Sequence, residues 1–169
     1  MNKKQIENEK LRLMVFESAK ELGEKVDKHL LDRYGIDSNE YTFIVPIREN
    51  FFSDGHLKVE IDETVRGKNL FLLTDIGNYS ITYKMHELIN HASPNDLMAQ
   101  LKDGIGASNC HAANINIIMP LLYAGRQHRR NTRENLMCGM ALREIDSINR
   151  IKSLITFDVH DQGVEHAIH

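Results

Sequence analysis

The chain has 169 residues, a formal net charge of −3 and a hydrophobic fraction of 41%. This length suits one domain with a real core, and the lack of a global basic charge argues against a nucleic-acid-binding protein. No apolar run approaches the roughly 20 residues that span a bilayer, and the charged N-terminus lacks the apolar region of a signal peptide. Cys110 and Cys138 lie far apart and form no Cys-x-x-Cys pair, so we expect a reduced, cytoplasmic protein outside the membrane.

The N-terminal segment is predicted to form a strand followed by a helix. Residues 11–16 are apolar except for Arg12, and periodicity alone fits either a strand or the start of a long helix. Ser18 and Glu21 form the Ser-x-x-Glu pattern of a capping box. We therefore predict a strand over 11–16 and a helix over 18–34, which Gly35 ends.

An antiparallel hairpin is predicted next. Residues 41–47 are apolar and rich in β-forming side chains, with Pro46 indicating an edge strand. Asp54-Gly55 is a strong signal for a hairpin turn. Residues 57–61 alternate strictly between apolar and polar side chains, as a half-buried strand does.

The remainder of the chain alternates buried strands with helices. Residues 70–74 form a continuous apolar run and residues 115–119 a largely apolar one, which is typical of buried strands in a parallel sheet. Residues 153–157 are assigned to a final strand. Residues 79–91 are assigned to an extra helical segment, because they intervene in a long connection after the strand at 70–74.

Two helices complete the predicted alternation. One covers residues 95–107, with Ser93 or Asn95 as its cap, and the other covers residues 133–145. Strands that alternate with helices predict a three-layer α/β/α fold around a mainly parallel sheet, here with an antiparallel hairpin.

Basic residues cluster just beyond the buried strand at 115–119. Arg126, Arg129 and Arg130 follow this strand, and ligands of open α/β sheets bind outside the carboxyl ends of the strands. Guanidinium groups offer fixed forks of donors to phosphate. The cluster therefore fits an anionic substrate, with a solvated basic turn as the alternative.

Several short segments together resemble the N-terminal half of ribose-phosphate pyrophosphokinase. The family has Phe-Ser-Asp-Gly-Glu, Val-Arg-Gly, Asn-Asp-Asn-Leu-Met, Pro-x-x-x-Tyr-Ala-Arg-Gln-Asp-Arg and Asp-Leu-His at similar spacings. The corresponding segments here are Phe52-Ser53-Asp54-Gly55-His56, Val65-Arg66-Gly67-Lys68, Asn95-Asp96-Leu97-Met98, Arg126-Gln127 and Asp158-Val159-His160. The resemblance covers roughly residues 11 to 169 and implies a type I phosphoribosyltransferase-like fold.

The resemblance implies an ATP site made from two segments. Arg126 and Gln127 match the family residues that contact ATP. Phe52, Asp54 and His56 match the family hairpin that reaches into a neighbouring subunit and holds the adenine. An aromatic face can stack on a purine and an aspartate can accept from its exocyclic amine. His56 stands where the family has glutamate, which an imidazole cannot replace as a carboxylate acceptor.

The resemblance also implies a catalytic and metal-binding segment. His160 matches the histidine that lies beside magnesium-ATP in the family, and we expect it to be a catalytic residue and a metal ligand. Asp158 is the second expected ligand, because Mg²⁺ prefers oxygen donors to imidazole. His128 departs from the aspartate usual in the family, which changes the local charge pattern.

The activity implied by the resemblance is transfer of pyrophosphate from Mg-ATP to ribose 5-phosphate, giving phosphoribosyl pyrophosphate (PRPP) and AMP. This is a transferase of nucleotide biosynthesis that works as a homo-oligomer. We expect residues 1–169 to be a single N-terminal domain from a longer two-domain protein and to be inactive alone. Residues 75–94 are expected to be an insertion relative to the family.

Two other functions stay open from the sequence. One is a non-catalytic homologue that binds and regulates active subunits, which the departures at His56 and His128 would suit. The other is an α/β domain that binds a different nucleotide. Neither requires nucleic acid or a membrane.

Overall fold

The structure is a computed structural model, and it describes residues 10–109, 111–127, 132–148 and 150–160. Regular elements alternate along this chain, with two antiparallel hairpins inserted between the strands of the main sheet. In chain order they are β1 (Leu11–Val15), α1 (Lys20–Tyr34), β2 (Ile47–Phe51), β3 (Leu57–Ile61), β4 (Asn69–Leu73), β5 (Thr82–Met85), β6 (Leu88–His91), α2 (Pro94–Asn109), β7 (Asn114–Ile118), α3 (Met137–Asp146) and β8 (Ile151–Ile155).

The central sheet has four strands in the order β1-β4-β7-β8, all parallel. Residues 43–45 extend it beyond β1, because Leu13 N–H donates to the Phe43 carbonyl at 2.8 Å and Val45 N–H donates to the Leu13 carbonyl at 2.7 Å. The predicted strand over 41–47 is therefore only a single bridge at the edge of the sheet. The neighbouring regular strand, β2, begins at Ile47 and pairs with β3 in the predicted antiparallel hairpin.

Helices cover both faces of the sheet, which confirms the three-layer α/β/α prediction. On one face α2 and α3 bury apolar side chains against the strand residues Leu70, Leu72, Ile115 and Ile117. On the other face α1 buries Leu31 against Leu13 and Phe43. Leu70, Leu72, Ile115 and Ile117 are fully buried, as expected for inner strands of a parallel sheet.

The start of α1 differs from the prediction. Residues 17–19 form a short 3₁₀ helix, α1 begins at Lys20, and no side chain caps it. The Ser18 hydroxyl instead lies 3.3 Å from the Thr74 hydroxyl and accepts from the Asp75 N–H at 3.2 Å. The capping box at Ser18 was therefore wrong, because a buried hydroxyl bonds to the neighbouring strand end. The end of α1 at Gly35, with φ of 65°, is confirmed.

The cap of α2 is the predicted Ser93. Its hydroxyl accepts from Asp96 N–H at 3.2 Å, and the Asp96 carboxylate accepts from Ser93 N–H at 2.8 Å. This is a reciprocal capping box with aspartate in the place of glutamate. By contrast α3 begins at Met137, later than the predicted residue 133, and β8 begins at Ile151 and ends at Ile155 instead of covering 153–157.

The helical segment predicted over 79–91 is wrong, because this region forms an antiparallel hairpin of β5 and β6. His86 and Glu87 connect the strands with φ of 47° and 67°, the left-handed conformation that a two-residue hairpin loop requires. The usual signal for such a loop is Asn-Gly or Asp-Gly, so His-Glu hid the turn. None of the helices in the described ranges has the length and apolar character needed to cross a bilayer.

Candidate functional site

The turns that follow β1, β4, β7 and β8 meet at the carboxyl edge of the sheet, because all four strands run parallel. A cleft of about 500 Å³ opens there between the turns after β1 and β4, with Pro120 after β7 on its wall. Its polar lining includes Glu17, Lys20, Asp75 and Asn78. This edge is where open α/β sheets bind ligands.

The turn after β7 carries the first predicted ATP-binding residues, Arg126 and Gln127, both exposed. Ala124 has φ of 52°, and its carbonyl accepts from Gln127 N–H at 2.7 Å. The Tyr123 hydroxyl donates to Asn95 Oδ1 at 2.7 Å, which ties the turn to the start of α2. The turn therefore has a defined shape up to Gln127. The predicted basic residues Arg129 and Arg130, and the departure at His128, lie outside the described residues.

The segment after β8 lies beside this turn. Asp158 pairs with Leu121 in a parallel bridge, and its N–H donates to the Pro120 carbonyl at 3.1 Å. Asp158 and His160 are both exposed. The structure therefore brings the predicted metal-binding segment next to the strand end from which the Arg126 turn departs.

The donor set at this edge fits Mg²⁺ only with help from the substrate. In the part of the chain that the structure describes, no three His, Cys, Asp or Glu residues cluster as a metal site. Mg²⁺ commonly binds through one or two carboxylates together with phosphate oxygens and water. Asp158 can supply such a carboxylate, and phosphate oxygens of a bound ligand would have to supply further ligands.

The remaining predicted ATP-binding residues form the tip of the β2–β3 hairpin. Phe52 is 50% exposed, and Gly55 has φ of 86°, a conformation that favours glycine. Asp54 accepts a hydrogen bond from the His56 N–H at 3.1 Å, and its carboxylate lies 3.0 Å from His56 Nδ1. These bonds lower the pKa of Asp54, so an ionised acceptor stands beside an open aromatic face.

The hairpin tip and the Arg126 turn are bonded to different parts of the chain. Phe52 N–H and Gly55 N–H donate to the carbonyls of His56 and Phe52 within the tip, whereas the Tyr123 hydroxyl donates to Asn95 on α2. The structure thus brings Arg126 and Gln127 beside the Asp158 segment, and it places Phe52, Asp54 and His56 on the β2–β3 hairpin.

Sequence analysis missed Glu49, a half-buried carboxyl on β2. Its Oε1 accepts from the Glu17 N–H at 2.8 Å, and Gln100 Nε2 on α2 donates to its Oε2. Burial raises the pKa of Glu49 to about 7, and the nearby Glu17 carboxylate adds to this increase. The available signal was the alternation of β2, in which Glu49 shares the inward positions with Ile47 and Phe51.

The sequence also missed a set of bonds that shapes the cleft. Asn78 Nδ2 donates to the Ser18 carbonyl at 2.7 Å, and Asp75 Oδ1 accepts from the Gly77 N–H at 3.0 Å. The first bond joins the turn after β1 to the turn after β4, and the second shapes the turn after β4 itself. The available signal was the set of polar residues that directly follow the apolar strands, such as Asp75 after Thr74.

Comparisons with known proteins concern the family and the fold of this chain. Residues 11–148 match the family model described as the N-terminal domain of ribose phosphate pyrophosphokinase. Ribose-phosphate pyrophosphokinase 1 of Streptococcus pneumoniae is 26% identical over 157 residues, covering 92% of this chain and 41% of the relative. The corresponding protein of Lactococcus lactis is 29% identical over 155 residues, with coverage of 92% and 41%.

A solved structure has the same fold. Phosphoribosylpyrophosphate synthetase from Mycobacterium smegmatis superposes with a TM-score of 0.73 at 19% identity, covering 95% of this chain and 46% of that chain. The chain spans less than half the length of these relatives.

Proposed function

Since the chain belongs to the ribose-phosphate pyrophosphokinase family, matching its N-terminal domain, we propose that it serves as that domain in an enzyme that makes PRPP. The reaction transfers the pyrophosphoryl group of Mg-ATP to the 1-hydroxyl of ribose 5-phosphate and releases AMP. In the family a second domain holds the ribose phosphate and carries a mobile lysine loop. We therefore propose that this domain alone is inactive and that the enzyme works in the cytoplasm.

One observation supports the proposal most. The turn that carries Arg126 and Gln127 leaves β7 at Pro120, where Asp158 pairs with it across the sheet edge. A cation that can clamp phosphates and a carboxylate that can hold a metal thus depart from adjacent strand ends. Phosphoryl-type transfer depends on this combination of positioning and charge stabilisation.

The residues of the site have distinct proposed tasks. Arg126 pairs with the polyphosphate of ATP through charge-assisted hydrogen bonds, and the Gln127 amide can donate and accept beside it. Mg²⁺, bound by Asp158 and His160 together with phosphate oxygens, would neutralise charge on the transferred group. His160, at the end of this segment, is the proposed catalytic residue.

Adenine is held by the hairpin tip of a neighbouring subunit in this proposal. Phe52 offers an exposed ring for stacking, and Asp54 is kept ionised by its bonds from His56. The tip lies on the β2–β3 hairpin and the Arg126 turn follows β7, and in the family these two segments meet across a subunit interface. The proposed assembly is therefore a homo-oligomer.

The test is an assay of the purified full-length protein with Mg-ATP and ribose 5-phosphate, following AMP and PRPP. Production of both supports the proposal. Absence of AMP at saturating substrate contradicts it, provided that an established pyrophosphokinase is active in the same buffer.

A second candidate is a non-catalytic homologue that binds and regulates active subunits. It is favoured by His56, which replaces the glutamate of the family in the adenine-binding hairpin. This candidate predicts an inactive full-length protein that co-purifies with an active pyrophosphokinase and alters its rate. Failure to associate would contradict it.

A further inference from the structure

The β5–β6 hairpin, residues 82–91, packs against the proposed adenine-binding turn at residues 52–56. The rings of Phe51 and Tyr83 stack with centroids 4.2 Å apart and an angle of 6° between their planes. Phe51 is the last residue of β2 and immediately precedes Phe52. The stack therefore fixes the residue from which the turn starts.

A second contact reaches the far side of the same turn. A Cβ atom on Gly55 would lie 3.3 Å from the sulfur of Met85, so the methionine side chain lies directly against the glycine. Tyr83 and Met85 alternate with the exposed residues Thr82 and Lys84 along β5. One face of β5 thus contacts the turn at both of its ends.

The β5–β6 hairpin is itself tied at its base. Ala92 N–H donates to the Ile81 carbonyl at 2.8 Å, and the Tyr79 and His91 rings stack at 4.3 Å. His91 Nδ1 also lies 2.8 Å from the Tyr79 carbonyl oxygen. This base joins the carboxyl end of β4 to the start of α2, so the hairpin is held at the edge of the sheet that carries the cleft.

We propose that the β5–β6 hairpin braces the 52–56 turn, with Tyr83 as a positioning residue for recognition of the adenine of ATP. This inference rests on the proposed function of Phe52 and Asp54. The brace holds the exposed Phe52 ring and the Asp54 carboxylate in the geometry that binds the base, and it lowers the conformational freedom lost when the nucleotide binds. Tyr83 does not touch the nucleotide and acts through Phe51.

The first experiment compares the kinetics of full-length variants. Tyr83→Ala is expected to raise KM for ATP about two- to ten-fold, the range that a stacked aromatic pair supports. KM for ribose 5-phosphate and kcat stay at wild-type values. Tyr83→Phe keeps the ring and restores KM, while Ile89→Ala, at a position 75% exposed on the same hairpin, behaves as wild type. Unchanged KM for ATP in Tyr83→Ala, or equal defects in the alanine and phenylalanine variants, would overturn the proposal.

The second experiment does not depend on activity. Hydrogen exchange of the Phe52 and Gly55 amides, which donate to the carbonyls of His56 at 2.7 Å and Phe52 at 3.0 Å, is expected to be faster in Tyr83→Ala and in Met85→Ala. Unchanged exchange in both variants overturns the brace even if the protein makes PRPP. If exchange is faster in the variants but the wild-type protein makes no PRPP, the brace is supported and the proposed enzyme is contradicted.

Discussion

Replacing Glu49 with glutamine is expected to remove a pH dependence from the stability of this domain. In the folded protein burial raises the pKa of this carboxyl from its ordinary 4.5 to about 7. In the unfolded chain it returns to the ordinary value. Between pH 4.5 and about pH 7 the folded state keeps a proton that the unfolded state has released. The free energy of unfolding therefore falls as pH rises through this window, and it levels off above it.

The size of this effect follows from the two pKa values. Raising a pKa from 4.5 to about 7 corresponds to about 3 kcal/mol, at about 1.4 kcal/mol per pKa unit. This is an upper value, because the carboxyl is only half-buried and keeps some contact with water. The effect is large against the total stability of about 5–15 kcal/mol that is usual for a domain.

The assay is urea unfolding of the chain at several values between about pH 5 and about pH 8. As pH rises across this range, the free energy of unfolding of the wild type is expected to fall relative to that of Glu49→Gln by up to about 3 kcal/mol. Glu40→Gln, which removes an exposed carboxylate from a turn, is the matched control and should follow the wild-type curve. Parallel curves for the wild type and Glu49→Gln would refute the assignment of a raised pKa to Glu49.

Three further predictions concern the site and the core. Arg126→Ala in the full-length protein should lower kcat/KM for ATP about ten- to a hundred-fold, since a charge-assisted bond contributes roughly 1.5–3 kcal/mol; unchanged kinetics would make it a surface turn residue. Light scattering of the chain should detect a dimer or larger species, and a monomer would contradict self-association. A dimer with Phe52 far from the partner's Arg126 turn would contradict the shared site. Gly104→Ala places a Cβ 2.6 Å from the Phe16 ring and should lower the free energy of unfolding by about 1–3 kcal/mol. Gly106→Ala on the same helix meets nothing within 4 Å and should raise it by up to about 1 kcal/mol; equal effects in urea unfolding would contradict the packing argument.

Local sequence signals predicted the elements whose formation depends on neighbouring residues. Gly35 ends α1 and Asp54-Gly55 turns the β2–β3 hairpin, because each signal concerns backbone conformation at the residue itself. The predicted strands at 70–74 and 115–119 are the two inner strands of the parallel sheet, because largely apolar segments are stable when neighbouring elements cover them. These signals, with the family motifs, also placed the predicted site residues at strand ends or in the hairpin turn.

Tertiary structure decided the features that depend on contacts distant in sequence. Ser18 fits a capping box locally, but its hydroxyl bonds to Thr74 and Asp75 because the sheet brings those residues beside it. Glu49 appears from sequence to be an ordinary strand residue, and only the packing of β2 against α2 and the turn at Glu17 raises its pKa. The β5–β6 hairpin turns at His86-Glu87 instead of the usual Asn-Gly or Asp-Gly. The stack of Tyr83 on Phe51, a contact distant in sequence, stabilises this hairpin. A local pattern records the preferences of a segment, whereas burial and pairing across the chain determine which preference is satisfied.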